Sequence, residues 1–176
     1  MRILVITGST RASSTNTAAL LTAQAFPPPG VAVDFYGGLG ALPHFNPDND
    51  VDPLPPPVAA LRAAIGSADA LLFCTPEYAG TLPGSFKNLL DWTVGGMEMN
   101  AKPVAWLNVA APTRGEGAIA TLRVVLGYVT ATILDDCCIR IAVAREMVGL
   151  DGLVADTDAR ARITALVASI AERVSE

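Results

Sequence analysis

The feature that most constrains the fold is an apolar segment that leads directly into a loop of small polar residues. Residues 2–7 (RILVIT) predict a buried strand, and residues 8–16 (GSTRASSTN) form a loop that precedes a helix. Gly8 permits a tight turn, and a helix N-terminus offers free backbone N–H groups with partial positive charge. Arg11 adds a planar, permanently charged group that suits a phosphate. This strand–loop–helix pattern predicts an anion site.

The spacing of the loop excludes three common phosphate sites. A dinucleotide fingerprint needs G-x-G-x-x-G and a P-loop needs G-x-x-x-x-G-K-[ST], and this loop has neither. It also lacks the thiol of a cysteine-based phosphatase. A terminal phosphate monoester remains, and FMN is the commonest such cofactor in open α/β folds. The alternative is that Ser14 or Asn16 only caps the helix, but capping needs one such residue and not several beside an arginine.

Strands and helices alternate along the rest of the chain. The predicted later strands are 31–36, 68–75, 103–109 and 139–143, and the predicted helices lie near 58–65, 85–94 and 118–131, with a last one around 163–174. Nearly continuous apolar strands indicate a parallel sheet covered on both faces. We therefore expect a single domain, 1–176, with a flavodoxin-like three-layer sandwich and a five-stranded parallel sheet in the order 2-1-3-4-5. Its ligand should bind beyond the carboxyl ends of strands one, three and four.

The composition excludes several function classes. The net charge is −5 and no basic run occurs, so no nucleic acid partner is expected. No apolar segment reaches the roughly 20 residues of a membrane span. Hydrophobic residues make up 51% of the chain and charged residues 16%, which leaves few charges to cover a monomer and favours a homo-oligomer.

The three cysteines, Cys74, Cys137 and Cys138, are an odd number and two of them are adjacent. This argues against a disulfide framework and indicates a reducing, cytoplasmic setting. Neither a C-x-x-C motif nor a cysteine–histidine cluster exists, so no metal site is expected. Cys74 lies in a predicted strand and is interpreted as a small core residue.

Two further loops follow strands three and four. Residues 75–92 (TPEYAGTLPGSFKNLLDW) contain prolines that stiffen the loop and glycines that permit close backbone approach to a flat heterocycle. Residues 108–117 (NVAAPTRGEG) again contain glycines. Ordinary strand-to-helix connections remain the alternative for both. Arg114 would favour a 2′-phosphate if the loop places it near the ligand.

Together these segments resemble the NADPH-dependent FMN reductase family, which includes quinone, azo-dye and chromate reductases. The resemblance rests on GSTRxxSxN at 8–16, PEYxG at 76–80 and KNLLDW at 87–92, with support from LPxFNxD at 42–48 and from 115–123. It implies that the FMN phosphate is held by Ser9, Arg11, Ser14, Thr15 and Asn16. It also implies that Pro76, Glu77, Tyr78, Ala79 and Gly80 border the isoalloxazine ring, and that Thr113 and the segment from Gly115 to Gly117 close its other side.

The chain departs from the family pattern at one position in each of the later loops. Ala79 stands where the family often has Asn, so a side-chain amide near the flavin is missing. The third loop has Ala111, Pro112 and Thr113 where the family usually offers a serine.

The expected function is an enzyme that passes hydride from NADPH or NADH to bound FMN and then to a small-molecule acceptor. Quinones, free flavin, azo compounds and metal oxyanions all suit an open flavin face. The chemistry belongs to the cofactor, so no catalytic side chain is expected, and the family resemblance implies a dimer or tetramer. Two alternatives stay open: an FMN electron carrier without NAD(P)H activity, and a flavin-free protein that binds a phosphorylated metabolite.

Overall fold

A computed structural model describes all residues, 1–176, as one parallel sheet with helices on both faces. The strands are β1 (Arg2–Thr7), β2 (Ala32–Tyr36), β3 (Ala70–Cys74), β4 (Pro103–Asn108), β5 (Thr132–Ile133) and β6 (Ile139–Arg140). The helices are α1 (Thr15–Ala25), α2 (Pro56–Gly66), α3 (Gly84–Asp91), α4 (Glu116–Tyr128) and α5 (Thr157–Ser175). None of the five combines the length and apolar character needed to cross a bilayer.

The order of the strands is β2-β1-β3-β4-β5, and every pairing in the sheet is parallel. This confirms the predicted flavodoxin-like fold. Successive β1 residues point to opposite faces of the sheet. Ile3 and Val5 pack in the core beneath α1 and α5, whereas Leu4 and Ile6 pack beneath α2, α3 and α4. Both faces of β1 are therefore buried, which explains its continuous apolar sequence.

The fifth strand position differs from the prediction of one strand over 139–143. It is divided into β5, which pairs with the start of β4, and β6, which pairs with Leu107 and Asn108. A 3-10 turn over Asp135–Cys137 separates the two halves, since consecutive aspartates favour turns over strand pairing. The residues after β6 still hydrogen-bond to Asn108 and Val109. Arg140 thereby reaches the carboxyl end of β4.

Candidate active site

Three loops meet at the carboxyl ends of β1, β3 and β4. We call residues 8–14 the first loop, 75–83 the second loop and 109–115 the third loop. The second and third loops, with the start of α1, line a central cleft of about 410 Å³. The first-loop cleft, of about 380 Å³, lies between the first loop, the second loop and residues 143–145. Thr15, Asn16 and Pro76 line both clefts, so the two form one continuous site.

The polar groups of the first loop have few partners within the chain. Ser14 is the N-cap of α1, and its hydroxyl oxygen accepts a hydrogen bond from the Thr17 N–H group at 3.5 Å. The Ser9 hydroxyl oxygen accepts from the Arg11 N–H group at 3.3 Å. Both hydroxyl hydrogens therefore remain free to donate to a ligand. The Arg11 guanidinium contacts only the Ser13 hydroxyl, at 3.1 Å, so the loop presents unused donors beside a helix N-terminus.

Asn16 is held from below by Cys74. The Cys74 Sγ donates to the Asn16 Oδ1 at 3.3 Å, and the complete burial of Cys74 confirms its interpretation as a core residue. Burial raises the pKa of the Cys74 thiol, so the sulfur keeps its proton and can donate it in this hydrogen bond. The Asn16 amide nitrogen has no acceptor within the chain, and Asn16 borders both clefts. Cys74 thus positions a donor of the site.

The second loop contains a tight turn from Tyr78 to Thr81. Two backbone hydrogen bonds close it, at 3.0 and 3.1 Å. Its central residues, Ala79 and Gly80, have φ angles of 51° and 76°, which favour Asn or Gly at the first position and Gly at the second. Ala79 therefore holds a left-handed conformation that is costly for alanine. The side chain of Tyr78 is 56% exposed beside the cleft.

The second loop is fixed against the N-terminus of α4. The Glu77 carboxylate accepts a hydrogen bond from the Ala118 N–H group at 3.1 Å, where the helix dipole favours a negative charge. A Cβ atom at Gly117 would lie 2.1 Å from the carbonyl oxygen of Gly80. Only glycine permits this approach, so Glu77 and Gly117 hold the second loop against the start of α4.

Arg140 determines the shape of the third loop. Its Nη1 atom donates to the carbonyl oxygens of Ala110 at 2.9 Å, Ala111 at 2.8 Å and Arg114 at 2.8 Å. Its Nη2 atom forms an ion pair with Glu116. Sequence reasoning missed this role, and the only signal was a charged residue within a predicted apolar strand.

Ten of the thirteen predicted cofactor-binding residues line the two clefts. They are Ser9, Arg11, Ser14, Thr15, Asn16, Pro76, Glu77, Tyr78, Thr113 and Gly115. Ala79, Gly80 and Gly117 line neither cleft, and instead shape the second loop and its contact with α4. The clefts also include residues that the sequence analysis did not select, among them Thr75, Val109, Ala110 and the segment 143–145.

The arginines divide into two groups. Seven of the ten bond a carboxylate or a backbone carbonyl. The other three, Arg11, Arg114 and Arg145, have no such acceptor, and all three line the clefts. The mouth of the site is therefore electropositive in a chain with a net charge of −5, which concentrates anionic ligands there.

A parallel sheet in this order, with a cleft of hydroxyl groups and arginines at the carboxyl ends of its strands, defines a flavodoxin-like nucleotide-binding protein. Residues 1–145 match the family model of NADPH-dependent FMN reductase. An NAD(P)H-dependent FMN reductase of Pseudomonas aeruginosa is 34% identical over 163 residues, which is 91% of this chain and 88% of that protein. A 2-hydroxy-1,4-benzoquinone reductase of Burkholderia sp is 29% identical, with 91% and 88% covered.

Solved structures agree with these sequence matches. The flavoenzyme NAD(P)H:(acceptor) oxidoreductase FerB from Paracoccus denitrificans superposes with a TM-score of 0.84 at 27% identity, over 99% of this chain and 97% of that one. The chain belongs to the NADPH-dependent FMN reductase family. This confirms the predicted family, the oxidoreductase class, and FMN as cofactor with NAD(P)H as its reductant.

The donors in the clefts fit FMN. A phosphate monoester needs several donors and positive charge, and the first loop supplies free hydroxyl hydrogens, the free amide nitrogen of Asn16 and the unpaired guanidinium of Arg11. A planar ring needs a flat space bordered by backbone, and the central cleft lies between Pro76 on one loop and Gly115 on another.

Proposed function

We propose that this protein uses NAD(P)H to reduce a quinone-type acceptor through FMN bound across the central and first-loop clefts. The observation that carries the proposal is the continuity of a donor-rich anion site with a cleft between the second and third loops. Relatives named 2-hydroxy-1,4-benzoquinone reductase and quinone reductase support the choice of acceptor.

In this proposal the first loop holds the phosphate and the later loops enclose the ring. Ser9, Arg11, Ser14 and Asn16 donate to the phosphate, together with the free N–H groups at the start of α1. Pro76 and Gly115 border the ring. FMN, when bound, accepts a hydride from the nicotinamide and passes the electrons on to the acceptor.

The chain itself contributes position and charge, and no proton transfer. The central cleft has one carboxylate, that of Glu77, and this carboxylate already accepts the Ala118 N–H group of α4. The proposal therefore assigns Glu77 a positioning role. The protein orients the reactants and supplies fixed donors before they bind.

The test is the visible absorption spectrum of the protein after incubation with FMN and desalting, and again after anaerobic addition of NADPH and, separately, NADH. We expect a retained flavin spectrum that bleaches on reduction, followed by its return when a benzoquinone is added. Retained flavin that neither nucleotide bleaches would replace this proposal with the electron carrier. Protein that neither retains FMN nor turns it over with NADPH would favour the flavin-free binder.

We also propose that the protein forms a homodimer, or a tetramer built from it, through an apolar patch at the ends of α3 and α4. Val94, Met97, Val124 and Tyr128 are each more than half exposed, and three of them line one shallow cavity. Light scattering should give a multiple of 18.2 kDa, and Tyr128→Asp should shift it to the monomer. A monomeric wild-type protein at micromolar concentration would contradict this.

The proposed location is the cytoplasm. All three cysteines are unpaired thiols, which suits a reducing compartment.

A further inference from the structure

A third cavity, of about 390 Å³, continues from the first-loop cleft. We call it the side cleft. It shares Arg11, Ser14 and Arg145 with the first-loop cleft, then extends over α1 to the turn at 148–152. The proposed FMN occupies the central and first-loop clefts and ends at its phosphate, so it leaves the side cleft open.

The polar end of the side cleft is suited to an anion. Arg11 and Arg145 stand at its boundary with the first-loop cleft, and neither has a carboxylate partner. No aspartate or glutamate lines either cleft. The nearby Asp151 carboxylate accepts the Leu153 N–H group of its own turn, at 3.0 Å. Two guanidinium groups therefore share one boundary without a counter-charge.

The other end of the side cleft is apolar. Ala18 and Leu21 of α1 form one wall, and Val148 and Leu150 form the other. Leu150 is fully exposed, so its side chain packs against nothing in the chain. A ligand that covers it would remove apolar surface from water, which is favourable. The side cleft thus suits a ligand with a phosphate at one end and a flat, largely apolar ring at the other.

We propose that the side cleft binds an adenylate group, with its phosphate between Arg11 and Arg145 and its base against Leu21, Val148 and Leu150. This inference rests on the proposed function, because a flavin phosphate already placed in the first-loop cleft sets the position of the next phosphate. Two sources share this chemistry. One is the adenylate half of FAD, attached to the flavin phosphate, and the other is the adenylate half of the NADPH reductant.

Flavin titrations of the wild-type protein and three variants test the proposal. The variants are Arg145→Ala and Leu150→Ser, both at exposed positions, and the control Arg173→Ala, which lies at the end of α5 outside the three clefts. The dissociation constants of FMN, FAD and AMP are measured with each protein. We expect FAD to bind within tenfold of FMN, since the side cleft accepts its additional half.

The variants should weaken binding of the adenylate more than binding of FMN. Arg145→Ala should raise the dissociation constants of FAD and AMP about tenfold, the effect of losing one charge-assisted hydrogen bond. Leu150→Ser should raise them about threefold. Leu150→Ser should change the dissociation constant of FMN less than threefold, Arg145→Ala should weaken FMN less than it weakens FAD, and Arg173→Ala should change none of the three.

A second measurement separates the two sources. The KM of NADPH is measured in the FMN-loaded enzyme. If Arg145→Ala raises this KM but leaves the dissociation constant of FAD unchanged in the titrations, the site belongs to the reductant. An AMP dissociation constant that is the same in all four proteins overturns the proposal, as does an Arg145→Ala variant that weakens FMN as much as FAD. AMP binding that depends on Arg145 in a protein that binds no flavin would refute the proposed function and retain the adenylate site.

Discussion

The first loop borders the first-loop cleft and the third loop borders the central cleft. Both loops depend on an arginine, but the two arginines are used in opposite ways. Arg11 bonds only a neighbouring serine hydroxyl. Arg140 bonds three carbonyl oxygens and a carboxylate. The first loop therefore presents unsatisfied donors that a ligand can complete, whereas carbonyl oxygens of the third loop are bonded within the chain. One loop offers donors to a ligand, and the other is held in position by the chain.

This difference has a thermodynamic consequence. Unused donors on an exposed loop contribute little to the stability of the free protein, because water solvates them. Donors that join separate elements stabilise the free protein whether or not a ligand is present. Replacement of Arg11 should therefore lower flavin affinity, whereas replacement of Arg140 should lower the free energy of unfolding.

The largest expected effect is on flavin affinity in Arg11→Ala. Loss of a charge-assisted hydrogen bond to the phosphate should weaken FMN binding by about 1.5–3 kcal/mol, or roughly ten- to 150-fold in the dissociation constant. Fluorescence titration measures this, with Arg173→Ala as the matched control. The free energy of unfolding of the ligand-free variant should stay within about 0.5 kcal/mol of wild type, as is usual for surface changes.

An unchanged dissociation constant in Arg11→Ala would mean that the phosphate is held elsewhere. A large loss of stability without ligand would instead place Arg11 in the same class as Arg140, and the comparison between the two loops would fail.

The second effect is on the stability of Arg140→Met. This variant keeps much of the apolar stem but loses the bonds to Ala110, Ala111 and Arg114, so the ligand-free protein should be about 1–2 kcal/mol less stable, reduced from the full value by partial exposure. Urea unfolding of the apoprotein measures this. Arg140→Lys keeps the charge without the planar fork and should fall between wild type and Arg140→Met. Equal stability of all three proteins would show that the third loop does not need the arginine.

The same comparison explains what could be predicted from the sequence. The first loop was predictable because its donors lie within nine consecutive residues, 8–16, between a strand and a helix. The sheet order was predictable because burial of both faces leaves continuous apolar strands. The role of Arg140 could not be predicted, because its guanidinium bonds residues that lie 24–30 positions earlier in the chain. The contact of Gly117 with Gly80 likewise joins the start of α4 to the second loop, 37 residues earlier in the chain.

A smaller effect concerns the second loop, which links the other two. Ala79→Asn should stabilise the protein by about 0.5–1 kcal/mol, because Asn tolerates a positive φ better than alanine does. Thermal unfolding of the apoprotein measures it. Ala79→Gly is the control for relief of backbone strain without an amide. If Asn stabilises no more than Gly but tightens FMN binding, the amide contacts the flavin; if neither variant is more stable, the turn is unstrained.

The smallest effect is the pH dependence of stability, to which two thiols near the site contribute, the buried Cys74 and the half-buried Cys138. Cys74 lies under Asn16, and Cys138 lines a cavity together with Arg140. Burial raises the pKa of both thiols from the ordinary value of 9.0, that of Cys138 to about 11.

Above pH 9 the unfolded chain loses these protons before the folded chain does, so folding stability is complete below that pH and falls as pH rises towards 11. Urea unfolding at pH 8 and pH 9 should show a loss of a few tenths of a kcal/mol for Cys74, and a smaller loss for Cys138, because solvent screens the partly exposed thiol. Cys74→Ser keeps a donor for Asn16 but has no thiol to ionise, so its loss should be smaller than that of wild type while FMN affinity is retained. A wild-type loss that persists unchanged in both Cys74→Ser and Cys138→Ala would assign the pH dependence to other groups. A loss of FMN affinity in Cys74→Ser would show that the sulfur does more than position Asn16.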